Sequence, residues 1–109
     1  MTEPLCSGQT DDFRAVTDDL RRIFVDKNTR YNNSFEQVIN KYGTLSSVIR
    51  LTDKLNRLDY LVTHRTDNVS LEEQAACIED AFKDIANYSI MTLMWIHKQQ
   101  RHEKNTAKP

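Results

Sequence analysis

Arg50, Asp53, Lys54 and Arg57 follow one another at three- and four-residue steps. Farther along the chain Glu73, Asp80, Asp84 and Asn87 share a second face of the same helical kind. Such spacing lines one side of a helix instead of scattering around it. The first stripe is mostly cationic and suits phosphate, with arginine acting as a planar fork and lysine as a point charge. The second is acidic. Asp80 and Asp84, one turn apart, can turn two carboxylates towards a single Mg²⁺, an ion that prefers oxygen ligands and keeps several waters. Glu73 lies about two turns earlier on that face, and Asp53 can join from the first stripe. A metal that activates water, beside cations that stabilise departing charge, is the chemistry of a Mg²⁺-dependent nucleotide pyrophosphohydrolase. The same side chains can also pair among themselves. Asp53 stands three residues after Arg50 and four before Arg57, and each such pair contributes only about 0.2–0.5 kcal/mol. Spacing alone leaves both a ligand site and a salt-bridged seam open.

Helices must carry these stripes, and the sequence supplies them. Its two prolines are Pro4 and Pro109, and its two glycines are Gly8 and Gly43, so one breaker stands in the middle of the chain. A first helix is expected after Thr10, with Asp11 and Asp12 near its positive end and Phe13, Val16, Leu20, Ile23 and Phe24 repeating to about Val25. A polar connector over residues 26–33 follows. Ser34 with Gln37 offers a capping box for a short second helix, closed by Gly43. Thr44 opens a third helix with a core stripe of Val48, Leu51, Leu55, Leu58 and Val62. After a polar loop, Ser70 and Glu73 form the clearer capping box. The fourth helix runs for about thirty residues, roughly 45 Å, with Leu71, Ala75, Ile78, Phe82, Ile85, Ser89, Leu93 and Ile96 as its core face. The reading is all-α: a compact bundle of four helices with a long C-terminal one. Residues 1–9 are expected to be a flexible tail, 10–100 the helical domain and 101–109 a basic tail.

With 109 residues, 39% hydrophobic and 28% charged, the chain is one domain able to fold around a modest core. A formal charge of −1 creates no general pull towards nucleic acid or membrane. Cys6 and Cys77 give neither a disulfide framework nor a metal-ligand spacing. No signal peptide is legible, and the most apolar stretch, residues 88–96, is far shorter than the roughly 20 residues a membrane span needs. A soluble, cytoplasmic protein with no membrane partner is the expectation.

Beyond Asn87 the acidic face of the fourth helix turns apolar, with Met91 flanked by Met94 and Trp95. A helix that is apolar on two sides is buried on two sides. Met91, Met94 and Trp95 are therefore expected to be an interface, and the partner expected is a second copy, a homo-oligomer. Tyr31 in the connector can stack on a base. His64, His97 and His102 are too scattered to form a ligand set.

Taken in order, Lys27, Asn28 and Tyr31, then Arg50, Asp53, Lys54, Arg57 and Leu58, then Asp80, Asp84, Ile85, Asn87 and Tyr88 resemble the first type of nucleotide modification associated domain. That family occurs in phages and bacteria. The resemblance spans roughly residues 13–96. It implies a small α-helical, phage-type protein of the host cytoplasm, associated with nucleotide or DNA modification. A more distant likeness is to the all-α nucleotide pyrophosphatases, from which the chain departs: Ala76 and Cys77 stand three residues before Glu79 and Asp80, where acidic partners are expected. Fewer carboxylates place binding above catalysis.

The ligand expected is a nucleotide or other phosphate-bearing molecule between the third and fourth helices, held by Lys27, Tyr31, Arg50, Lys54, Arg57 and Asn87. Mg²⁺ is the cofactor expected, on Asp53, Glu73, Asp80 and Asp84. The rival expectation is a non-catalytic phage protein that binds and inhibits a host factor, such as a defence system, through the acidic stripe or the apolar patch.

Overall fold

The computed structural model describes residues 3–30, 33–65 and 68–107. Among them are four helices and no strand, as the all-α reading requires: α1 (Glu3–Arg30), α2 (Ser34–Tyr42), α3 (Thr44–Thr63) and α4 (Leu71–Ala107). The chain divides into two units, residues 1–34 and 35–109. The first is built on α1, which begins at Glu3 and not after Thr10. Pro4 sits in the first turn, where its missing N–H costs nothing, and Gly8 alone does not stop a helix. Asp11 and Asp12 thus lie inside the helix. The polar connector is also shorter than its composition suggests, because α1 continues to Arg30. Asn33, at φ 59°, is a left-handed residue of a type that tolerates this conformation, and its N–H reaches the Asn28 carbonyl at 3.3 Å.

In the second unit Gly43 separates α2 from α3 as expected. Its N–H donates to the Ile39 carbonyl at 2.8 Å, closing α2, and its φ of 71° with ψ of −163° suits glycine alone. Its carbonyl then accepts the Ser46 N–H at 3.1 Å and the Ser46 hydroxyl at 2.8 Å, which starts α3. At the other loop Ser70 Oγ accepts the Glu73 N–H at 3.1 Å, the expected cap of α4.

Helices α3 and α4 form an antiparallel hairpin. Ser47 meets Thr92, Lys54 meets Asp84, and Gln74 meets the carbonyls of Leu61 and His64. The residues turned inwards are Ser47, Leu51, Lys54, Leu58 and Leu61 on α3. On α4 they are Gln74, Ile78, Ala81, Ile85, Tyr88, Thr92 and Trp95. All are buried or half-buried, and both series alternate steps of four and three, the rhythm of a coiled-coil seam. This corrects the expected core stripes. Leu51, Leu58, Ile78 and Ile85 do turn inwards. Val48, Leu55, Val62, Leu71, Phe82 and Leu93 remain more than half exposed. The seam is rotated by about 60° from the expected stripes, sharing four of their residues and taking in small Ser47 and Ala81. Apolar periodicity alone locates the bulkiest stripe, whereas helices close against each other where side chains are small or can pair.

Candidate functional site

The residue immediately before each seam position defines one flank of the hairpin. On α3 these are Ser46, Arg50, Asp53, Arg57 and Tyr60. On α4 they are Glu73, Cys77, Asp80, Asp84 and Asn87, followed by Met91 and Met94. The sense of rotation reverses when a helix runs the other way, so these preceding residues fall on the same side of an antiparallel pair. Both polar stripes therefore share one face. The residues that follow the seam positions, including Val48, Leu55, Phe82 and Leu93, share the opposite face.

The centre of the polar face is drawn tight. Lys54 occupies a seam position, and its long stem carries the ammonium out to the polar flank. There Nζ lies 3.1 Å from Asp84 Oδ2, with the side chains only 27% and 23% exposed. One turn earlier on α3, the Arg50 guanidinium sits 5.8 Å from the centroid of the Tyr88 ring, within cation–π range. Phe35 of α2 also packs on Tyr88, 5.7 Å between ring centroids. Asn87 is buried beside Tyr88. Farther along, the Trp95 indole N–H donates to Asn40 Oδ1 of α2 at 2.9 Å, and Lys98 pairs with Glu36 at 2.8 Å. These contacts hold α2 along the far half of the hairpin.

Arg50 also reaches a second feature. With Asp53 and Ser46 it lines a groove of about 450 Å³ whose other walls are Val38, Tyr42, Leu45 and Ile49. That size and lining, apolar with a few convergent polar groups, fit a small-molecule pocket. Neither Tyr42 nor this groove was legible in the spacing of charged residues. The signal was the apolar–aromatic run on either side of Gly43, which reads equally well as core.

The other expected site residues are distributed unevenly. Arg57, Asp53, Glu73 and Asp80 lie on the same polar flank but are exposed. Lys27 is exposed on α1, in the first unit, and Tyr31 lies outside the described residues. Among the described residues no three acidic, histidine or cysteine side chains come together as a metal cage. Asp84 is engaged by Lys54. Met91 and Trp95 are half-buried, while Met94 is exposed.

A family model described as "Nucleotide modification associated domain 1" matches residues 27–96, more than half of the chain. The chain belongs to that family. The nucleotide modification associated domain thus takes in α2, α3 and the part of α4 that carries Asp80, Asp84, Asn87 and Tyr88. It contains every residue of the polar flank and of the groove. No curated protein and no solved structure matches the chain. Nothing found supports the more distant likeness to the all-α nucleotide pyrophosphatases. Among the described residues no helix is long and apolar enough to cross a membrane.

Proposed function

We propose that this member of the nucleotide modification associated family is a phage-type protein that binds a nucleotide or similar phosphate-bearing ligand on the polar flank of the α3–α4 hairpin. One observation carries the reading: half-buried Arg50 is shared, over the Tyr88 ring and one turn from Lys54 on one side and lining the apolar groove on the other. A cation between an apolar recess and a second cation suits a molecule with a ring at one end and phosphate at the other. The groove walled by Tyr42, Leu45 and Ile49 takes the ring, and Arg50, Lys54 and Arg57 take phosphate oxygens, with Asn87 hydrogen-bonding nearby. Mg²⁺ in this reading arrives with the phosphates. One or two carboxylates from Asp80, Asp84 and Asp53 complete its shell, which is how Mg²⁺ ordinarily binds in phosphate sites.

Titration calorimetry with nucleoside triphosphates, with and without Mg²⁺, tests the proposal. The expected result is saturable binding that weakens at least about tenfold in Arg50→Ala, the loss of one charge-assisted contact. Absence of binding by every common nucleotide, together with an unchanged melting temperature, would sink it. The exposed Glu73 and Asp80 favour one rival, an acidic surface for a basic host protein. A wild type that binds a host protein and no nucleotide, with the protein lost in a Glu73→Lys, Asp80→Lys double variant, would support the rival.

A further inference from the structure

The face of the hairpin opposite the proposed ligand site carries a row of exposed apolar side chains. Val48, Leu55 and Val62 of α3 and Leu71, Phe82 and Leu93 of α4 each stand 54–70% exposed on it. From this geometry we infer that the face is the interface with a second copy of the chain, hairpin upon hairpin, in four helices around a shared apolar layer.

Its size is the first argument. A 20-residue helix such as α3 is about 30 Å long, and two helices packed at 8–10 Å present a face roughly 20 Å wide. The flat footprint is then about 600 Å², and its corrugated accessible area approaches the ≈800 Å² per partner of a standard stable interface. The polar groups on the face give the second argument. Thr52 Oγ1 donates to the Val48 carbonyl at 2.7 Å, and Ser89 Oγ to the Ile85 carbonyl at 2.9 Å. Covering these hydroxyls leaves no donor stranded.

Shape and charge select the occupant. Ser89 and Ala86 are small and lie between bulky Phe82 and Leu93, so a second helix pair can approach closely at the middle. The acidic groups Asp59 and Glu79 stand towards the loop end, with Glu79 held by Lys83 at 3.4 Å. A middle with no net charge, in a chain whose formal charge is −1, meets its own copy without repulsion. Two-fold pairing is the commonest closed arrangement. It turns the two polar flanks outwards, one ligand site to each chain.

The test is the mass of the full-length protein in solution, by sedimentation velocity and light scattering between about 1 and 100 μM. The expected species is twice 12.8 kDa. Phe82→Asp should raise the dissociation constant at least about 30-fold, as loss of a hot-spot residue does. Met94→Asp, elsewhere on α4, should leave it unchanged. Leu93→Asp repeats the test should Phe82→Asp fail to fold. A monomeric wild type at 100 μM overturns the inference. So does a dimer that survives Phe82→Asp or Leu93→Asp with helicity intact, or one that Met94→Asp breaks instead.

Discussion

The Lys54–Asp84 pair allows the sharpest test of how the seam is built. At 3.1 Å and an effective dielectric of about 20, two unit charges attract by roughly 5 kcal/mol, most of which is offset by removing both from water. Breaking a fully buried pair costs about 3–5 kcal/mol, and an exposed pair contributes about 0–1 kcal/mol. With 27% and 23% of the side chains exposed, this pair falls between those limits. Asp84→Asn should therefore cost about 2 kcal/mol, and Lys54→Met about as much, because each leaves one half-buried charge without its partner. In a chain of this size that lowers Tm by roughly 10 °C. The assay is urea denaturation of wild type, both single variants and the double variant at one fixed protein concentration, so that association cannot mimic stability. The coupling energy should be about 1–2 kcal/mol. It should persist at 0.5 M salt, since partly buried pairs are weakly screened. A coupling below about 0.3 kcal/mol, or one abolished by salt, would refute the burial reasoning and reduce the pair to a surface contact.

Gly43→Ala probes backbone strain alone, because a Cβ at that position meets nothing within 4 Å. The variant should lose about 1–3 kcal/mol through the φ of 71°; an unchanged denaturation midpoint would mean that the turn relaxes freely. Gln74→Ala removes the amide that donates to the Leu61 carbonyl at 2.7 Å and the His64 carbonyl at 3.0 Å, both at the C-terminal end of α3. It should cost about 1 kcal/mol and speed hydrogen exchange in the last turn of α3, whereas uniform protection would show that the loop holds itself.

Much of this fold was legible because the sequence punctuates it plainly. Gly43 has no substitute at φ 71°, and Ser70 caps α4 through the Glu73 N–H, so two of the boundaries could be read directly. The start of α1 was not legible, since Pro4 and Gly8 look like breakers and yet occupy tolerated helical positions. The site was half legible. The order of charges along α3 and α4 brought Arg50, Lys54, Asp84 and Asn87 to one flank, but it could not tell Lys54, drawn into the seam, from Asp53 and Arg57, left in water. That distinction depends on which residues are small enough to let the helices close. Ser47 and Ala81 decide it, and neither carries a charge or a bulky apolar group to mark it in advance.

The displacement of the seam from the bulky stripe also explains why the two faces differ. A hairpin closed on the expected stripes would also bury Val48, Leu55, Phe82 and Leu93, and would turn Lys54 and Asp84 out into solvent. Exposed there, their attraction would be screened and Arg50 would lose its aromatic neighbour. Closing instead on Ser47, Lys54, Ala81 and Tyr88 holds the cations half-buried, where charge-assisted contacts to a phosphate are stronger. The same choice leaves the bulky stripe unburied within the hairpin. The proposed binding on one flank and the inferred association on the other thus both follow from one rotation of about 60°. Substitutions that pull the seam back towards the bulky residues, such as Ser47→Leu with Thr92→Leu, should weaken ligand binding and dimerisation together. Loss of one with the other retained would show that the two faces are set independently.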